Sequence, residues 1–340
     1  MSDNYYRSTI STGTMSISFF RYKDVFQIYP ASSSNLQQQG QPIVIEYNDA
    51  YRLKNGKDEF VDQLGQGYGH LELLQELVAL LNIITNCPCW IPRKESSIRP
   101  GVQEKIERFH DTSDILEIYF DETRILTRQN GSSDFLEIQK QSVEFLDNYF
   151  MMDVDYRERI NTSLFLYQKM RRIITESASM GLVGLVSSIE NLVQLEGKRN
   201  GFKVERCGEC SSEKYKLTRR FRDFMETYSE ENFVKEHNIR QLYRKVPRFA
   251  EQNARKLITS FYNKRSSIAH AGDILEMDRT LSTFSMKDVM LFNEVETLTR
   301  VAIFSYILGY ESGSGIYAVS DEQRFDDMIS AYSWGSTFVG

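Results

Sequence analysis

Cysteine is scarce in this chain: Cys87, Cys89, Cys207 and Cys210 are the only four among 340 residues. Four thiols cannot staple a chain of this length, so a disulfide scaffold is excluded. Their C-x-C and C-x-x-C spacings suit a reducing compartment, and cytoplasm is the expected location. Long apolar runs are also missing, since no stretch approaches the roughly 18 uncharged apolar residues of a membrane span. The opening MSDNYYRSTIST has no charged segment followed by an apolar core, so neither a signal peptide nor membrane association is expected.

What is present describes a globular protein, with 41% hydrophobic and 26% charged residues in a chain long enough for two cores. The net charge of −6 hides an asymmetry. Lys198–Arg265 holds 18 Lys+Arg against 9 Asp+Glu, which leaves −15 for the remainder. A polyanion is the natural partner of such a basic window, with a solvated helical face as the alternative reading.

The first 150 residues read as mixed. Short β-favouring runs at Ser16–Phe20, Asp24–Tyr29, Ile43–Tyr47 and Ile115–Phe120 are separated by Gln/Gly/Ser-rich or Asn-Gly punctuation, and 32–41 reads as a surface loop. His70–Thr85 is too long for a strand and apolar on most sides, which predicts a buried helix. Tyr5, Tyr6, Phe19, Phe20 and Tyr29 are expected in the core or on edge strands. From Asp153 onward the apolar period becomes helical, over Arg157–Ser177, Met180–Glu196, Lys216–Tyr228, Pro247–Phe261 and Lys287–Leu308. The expected architecture is an α+β domain over 1–150, an all-α antiparallel helical bundle over 151–310, and a linker and tail over 311–340.

The chemistry-bearing segment is FYNKRSSIAHAG, Phe261–Gly272, where Arg265 and His270 stand five positions apart. A permanent cation beside a side chain that titrates near neutral pH suits phosphate chemistry: the guanidinium grips phosphoryl oxygens while the imidazole moves protons. On a regular helix five residues turn about 500° and rise about 7.5 Å, so the two side chains diverge by roughly 140°. That geometry predicts a broken backbone near Ser266–Ser267, or two copies of the segment meeting across a two-fold axis. Gly272 is a candidate helix C-cap, which would put His270 at the negative end of the helix dipole. Glu190 lies within the apolar context SSIENL, where an ionised carboxylate is costly unless paired. It either orients Arg265 or His270, or points to solvent one position beyond the stripe Leu185, Ile189, Leu192. Cys207 and Cys210 have a zinc-knuckle spacing that Cys87 and Cys89, or His237, would have to complete as a structural zinc site; unligated reduced thiols are the alternative.

SSIENLVQLE on a buried helix, then CGEC before the basic helix YKLTRRFRDFM, then YNKRSSIAHAG ahead of a last long helix together resemble the ApeA-like branch of the HEPN domain superfamily, over about 155–310. The resemblance implies a helical domain that dimerises and acts as a metal-independent endoribonuclease of antiphage-defence or toxin–antitoxin systems. It implies no required cofactor, and a regulatory or antitoxin protein as a further partner. It puts catalysis on Arg265 and His270, with Ser266 at the position after the arginine; the residues themselves add Glu190 as a supporting group, and the basic window adds Arg219, Arg220, Arg222 and Lys264 as RNA contacts. His270 would deprotonate the ribose 2′-OH while Arg265 stabilises the phosphate, giving a 2′,3′-cyclic phosphate and a 5′-OH. Ser266 stands where the superfamily often carries Asn, Asp or His, and Ala271–Gly272 replaces the tyrosine of R-x4-H-x-Y toxins. A non-catalytic module that binds RNA or a partner protein therefore stands as the second reading. Nothing in the sequence assigns a role to His70, His110 or the first domain.

Overall fold

The computed structural model describes residues 5–13, 19–31, 41–53, 69–85, 87–92, 104–112, 138, 141–174, 176–200, 208, 217–229, 254–280 and 286–310. The chain divides into two compact units, Met1–Phe150 and Met151–Gly340.

The first unit is α+β. Strands β1 (Tyr5–Thr12), β2 (Phe20–Tyr22), β3 (Phe26–Pro30), β4 (Gln41–Asn48), β5 (Cys89–Trp90) and β6 (Glu104–Ile106) form one sheet in the order β2-β3-β4-β1-β5, with β6 also paired to β1. Every pairing is antiparallel. The expected strands Asp24–Tyr29 and Ile43–Tyr47 fall on β3 and β4. Ser16–Phe20 reaches the described residues only at Phe19 and Phe20, while Ile115–Phe120 and 32–40 lie outside them.

The central strand β1 was not anticipated. Its sequence YYRSTIST is too polar for the usual alternation, yet Ile10, Ser11 and Thr12 are fully buried between β4 and β5. Helix α1 (Gly69–Ile84) buries Leu73, Leu77, Leu80 and Leu81 completely, as the apolar run predicts. Asn82 then joins helix to sheet: its amide donates to the Cys89 carbonyl at 2.8 Å and accepts from the Cys89 amide at 3.2 Å. A further helix, α2 (Gln141–Met151), contributes Tyr149, whose hydroxyl bonds the buried Glu76 carboxylate.

In the second unit the described elements are all helical: α3 (Val154–Ile173), α4 (Ala178–Asn200), α5 (Leu217–Tyr228), α6 (Ala254–Ala271), the short α7 (Glu276–Thr280) and α8 (Met286–Leu308). Helices α3 and α4 run antiparallel. The Ser163 hydroxyl donates to the Ser188 carbonyl, Asn191 donates to the Arg159 carbonyl, and a Cβ on Gly184 would meet Met170 Sδ at 2.1 Å. The missing Cβ leaves the space that the Met170 side chain fills. Helix α8 is antiparallel to α3, with Tyr306 bonded to Tyr156 and Glu296 to Tyr167, and it runs parallel to α4. At the far end Arg199 lies 5.4 Å from the Tyr156 ring centre and 4.8 Å from that of Tyr310.

Helix α4 is long and apolar enough to cross a membrane by length and composition, more so than the sequence reading allowed, but 72% of its apolar window is buried inside the protein. It serves as the core helix of its unit, with Leu182, Leu185, Ile189 and Leu192 fully buried.

Candidate active site

Helix α6 buries Leu257, Ile258, Phe261 and Tyr262 on one face. Arg265 continues that stripe at the next helical step, where another apolar side chain would be expected. The facing stripe of α4 carries Val186, Glu190 and Val193, all buried. Each helix therefore brings one charge to the crossing. Arg265 Nη2 donates to Glu190 Oε2 at 2.7 Å, and the two side chains retain 17% and 10% of their exposure. At so little exposure, losing either partner would strand a charge. Glu190 thus orients Arg265, and the solvent-facing alternative is overturned.

The pair is not saturated. Glu190 Oε1 and Arg265 Nε are both buried with no hydrogen-bond partner among the described residues. The Arg265 guanidinium also lies 5.9 Å from the ring centre of Tyr262, one turn back. Burial first, and the Glu190 charge second, push the Tyr262 phenol above its ordinary pKa, against the opposing charge of Arg265. Tyr262 stays protonated at neutral pH and forms the wall of the site. The spacing Tyr262-x-x-Arg265 was a signal in the sequence that went unread.

Arg265 Nη1 lies 3.4 Å from His270 Nε2. A guanidinium can only donate, so the contact is a hydrogen bond in the tautomer whose Nε2 carries no proton. The expectation that one helix must hold the two side chains apart is therefore corrected. Helix α6 runs unbroken through Ser266–Ser267 to Ala271, and the two groups still meet within one chain. Side chains are not radial spokes: the arginine stem is long enough to lie along the helix and reach the imidazole. The helix also extends a full ten residues beyond the expected end at Phe261. It stops at Gly272, which has φ +69°, a conformation costly for residues with a Cβ. His270 is exposed in the last turn before that stop, and Ser266 is half-buried beside Arg265.

Immediately after the stop, Asp273 gathers a second cluster. It accepts from Lys264 Nζ at 2.7 Å, the Ser267 hydroxyl at 3.2 Å, Arg279 Nη2 at 3.4 Å and the Ile274 amide at 2.9 Å. The Lys264 hydrogen bond is the largest cause holding the Asp273 carboxyl below its usual pKa. Asp273, Ser267 and Arg279 were not anticipated from the sequence. Lys264 was, and it proves to be ion-paired.

Of the other expected RNA contacts, Arg219 and Arg222 share Asp223 at 3.6 and 3.9 Å, with side-chain exposures of 58% and 23%, and Arg220 is half-buried. They lie on α5, whose opposite face buries Phe221, Phe224 and Met225. Cys207, Cys210, His237 and most of the basic window lie outside the described residues. Cys87 and Cys89 are buried, and no group of three or more metal-ligating side chains occurs among the described residues.

Comparison with protein-family models, with curated proteins and with solved structures finds no match for this chain.

Proposed function

We propose that the second unit is a metal-independent endoribonuclease in which Arg265 and His270 cleave RNA by attack of the ribose 2′-OH. The observation that carries this reading is the side-chain chain Glu190–Arg265–His270, ending on an exposed imidazole. A phosphate entering beside His270 takes the Arg265 Nη1 donor, which releases the Nε2 lone pair. His270 Nε2 then accepts the 2′-OH proton as the 2′-oxygen bonds phosphorus and the bond to O5′ breaks. Arg265 stabilises the added charge on the equatorial oxygens, and the imidazolium returns its proton to O5′. The products are a 2′,3′-cyclic phosphate and a 5′-OH. Because the pair meets within one chain, dimerisation is not a geometric requirement of this mechanism. A homodimer through the helical unit, a regulatory or antitoxin partner, and a place in antiphage defence or a toxin system belong to the proposal through the resemblance to HEPN proteins, not through the geometry.

A second reading remains open because a purely structural ion pair would also join Glu190 to Arg265. In it, the unit binds RNA or a protein partner without cutting. Purified full-length protein incubated with total RNA in EDTA separates the two. Cleavage leaving cyclic phosphate ends, and lost in His270→Ala, is expected from the enzyme. Binding without cleavage, or cleavage unchanged in His270→Ala, overturns it. Light scattering at assay concentration reads the oligomeric state in the same samples.

A further inference from the structure

We infer that Lys264 and Arg279, held together on Asp273, form a second phosphate subsite beside Arg265 and His270 that takes the phosphate flanking the scissile one. The inference rests on the ribonuclease reading and deepens it by adding a residue, Arg279, that no motif in the sequence marks.

The cluster is charge-imbalanced. Two cations share one carboxylate, at 2.7 Å for Lys264 and 3.4 Å for Arg279, so a single positive charge is left over. Both remain reachable, with side-chain exposures of 32% and 58%. Arg279 gives Asp273 one Nη2 contact, and a guanidinium has five N–H donors in a fork that matches a phosphate edge. Both clusters stand at the C-terminal end of α6, where Asp273 follows His270 by three residues and gathers Lys264, the residue before Arg265.

The platform is also preordered. Helix α7, which carries Arg279, is fastened at three points: the Leu275 amide donates to Ser179 Oγ at 2.8 Å, the Met277 amide to Asp288 at 3.0 Å, and Asp278 accepts from the Ala178 and Ser179 amides at 2.7 and 2.8 Å. Asp278, the nearest competing acid in sequence, is thereby committed to the first turn of α4. Arg279 reaches instead to Asp273, just beyond the end of α6. A fixed backbone carrying a loosely paired cation loses little freedom when it grips a ligand, which favours binding.

The test uses full-length His270→Ala protein, in which RNA is bound and not consumed, and a short fluorescent single-stranded oligoribonucleotide titrated across a range of salt. Each lost phosphate contact flattens the plot of log K against log salt by about 0.7 for a single strand. Arg279→Ala and Lys264→Ala are each expected to show that flattening with severalfold weaker binding at low salt. Asp273→Asn, which releases both cations, is expected to bind more tightly, an effect that a merely structural role would not produce. Circular dichroism and the melting temperature check folding, and Arg279→Gln serves where Arg279→Ala is destabilised. Unchanged affinity and slope in folded Arg279 variants overturn the subsite while leaving RNA binding intact. Absence of RNA binding by the His270→Ala parent itself overturns the ribonuclease reading, and the subsite with it.

Discussion

Glu46 in the first unit and Glu190 in the second are both buried carboxylates paired with an arginine, and their surroundings differ. Glu46 is completely buried and accepts from Arg7 Nε at 2.7 Å, Gln27 Nε2 at 2.8 Å, the Tyr29 hydroxyl at 2.8 Å and the His110 amide at 2.7 Å. Burial, and then its hydrogen bond to Glu46, push the Tyr29 phenol well above its ordinary pKa, so it is a donor at neutral pH. Both carboxylate oxygens are satisfied. Glu190 has one oxygen on Arg265, while Oε1 finds no hydrogen bond of good geometry among the described residues, although the Tyr262 hydroxyl interacts with the carboxylate. A saturated carboxylate organises a sheet; a half-satisfied one leaves its arginine with donors to give, and in this chain that arginine touches an exposed histidine.

The sharpest way to break the comparison is to remove each carboxylate in turn. Glu46→Ala orphans buried donors from three β-strand residues and one loop amide, and should destabilise the protein by roughly 3–5 kcal/mol in a denaturant titration. A loss under about 1 kcal/mol would show that water replaces the carboxylate. Glu190→Gln keeps an acceptor for Arg265 and removes the charge. The Gln carbonyl still accepts from Arg265 but leaves its charge uncompensated, so stability should fall by roughly 1–3 kcal/mol, and RNA cleavage falls by roughly 10²-fold through loss of orientation. RNA affinity should rise at the same time, because a negative charge has left the phosphate site. If kcat and affinity fall together, Glu190 is a packing residue and not a positioning one.

Gly184→Ala examines how the helical unit holds α4 in place. The new Cβ would sit 2.1 Å from Met170 Sδ and 2.3 Å from Cγ, so Met170 has to rotate away. A loss of about 1–2 kcal/mol is expected, with recovery in the Gly184→Ala/Met170→Ala double variant. Equal stabilities for the single and double variants would contradict this contact.

The smallest effect concerns the Asp278 cap on α4. Burial raises the Asp278 pKa, but hydrogen bonds from Ser179, Ala178 and Ser177 outweigh it and hold the carboxyl below its ordinary value. Its contribution is therefore complete above the unfolded value of about 3.9 and disappears as pH falls through the lower folded value. Asp278→Asn should cost about 1 kcal/mol at neutral pH and make the melting temperature less sensitive to acid. A variant whose acid melting profile matches that of the parent would remove the cap from this account.

The long helices were legible because their apolar residues recur at the helical period, as in Leu182, Leu185, Ile189 and Leu192 of α4 or Leu73, Leu77 and Leu80 of α1. Strand β1 was not, because Ser8, Ser11 and Thr12 look solvent-facing in a window of eight residues and are buried only once β4 and β5 flank them. Helix α7 has five residues, too few to establish a period.

The sequence by itself determined which residues could carry chemistry: an arginine and a histidine on one segment, a carboxylate misplaced in an apolar run, and a glycine where that segment had to stop. Tertiary structure decided their relations. Glu190 and Arg265 are 75 positions apart and meet only where α4 crosses α6, and Asp273, Lys264 and Arg279 become one cluster only because Gly272 turns the chain back on itself. The physical reason is that periodicity is a local property readable from neighbours in the chain, whereas a charge pair depends on distance in space, and the sequence carries that distance only through the packing of every residue between.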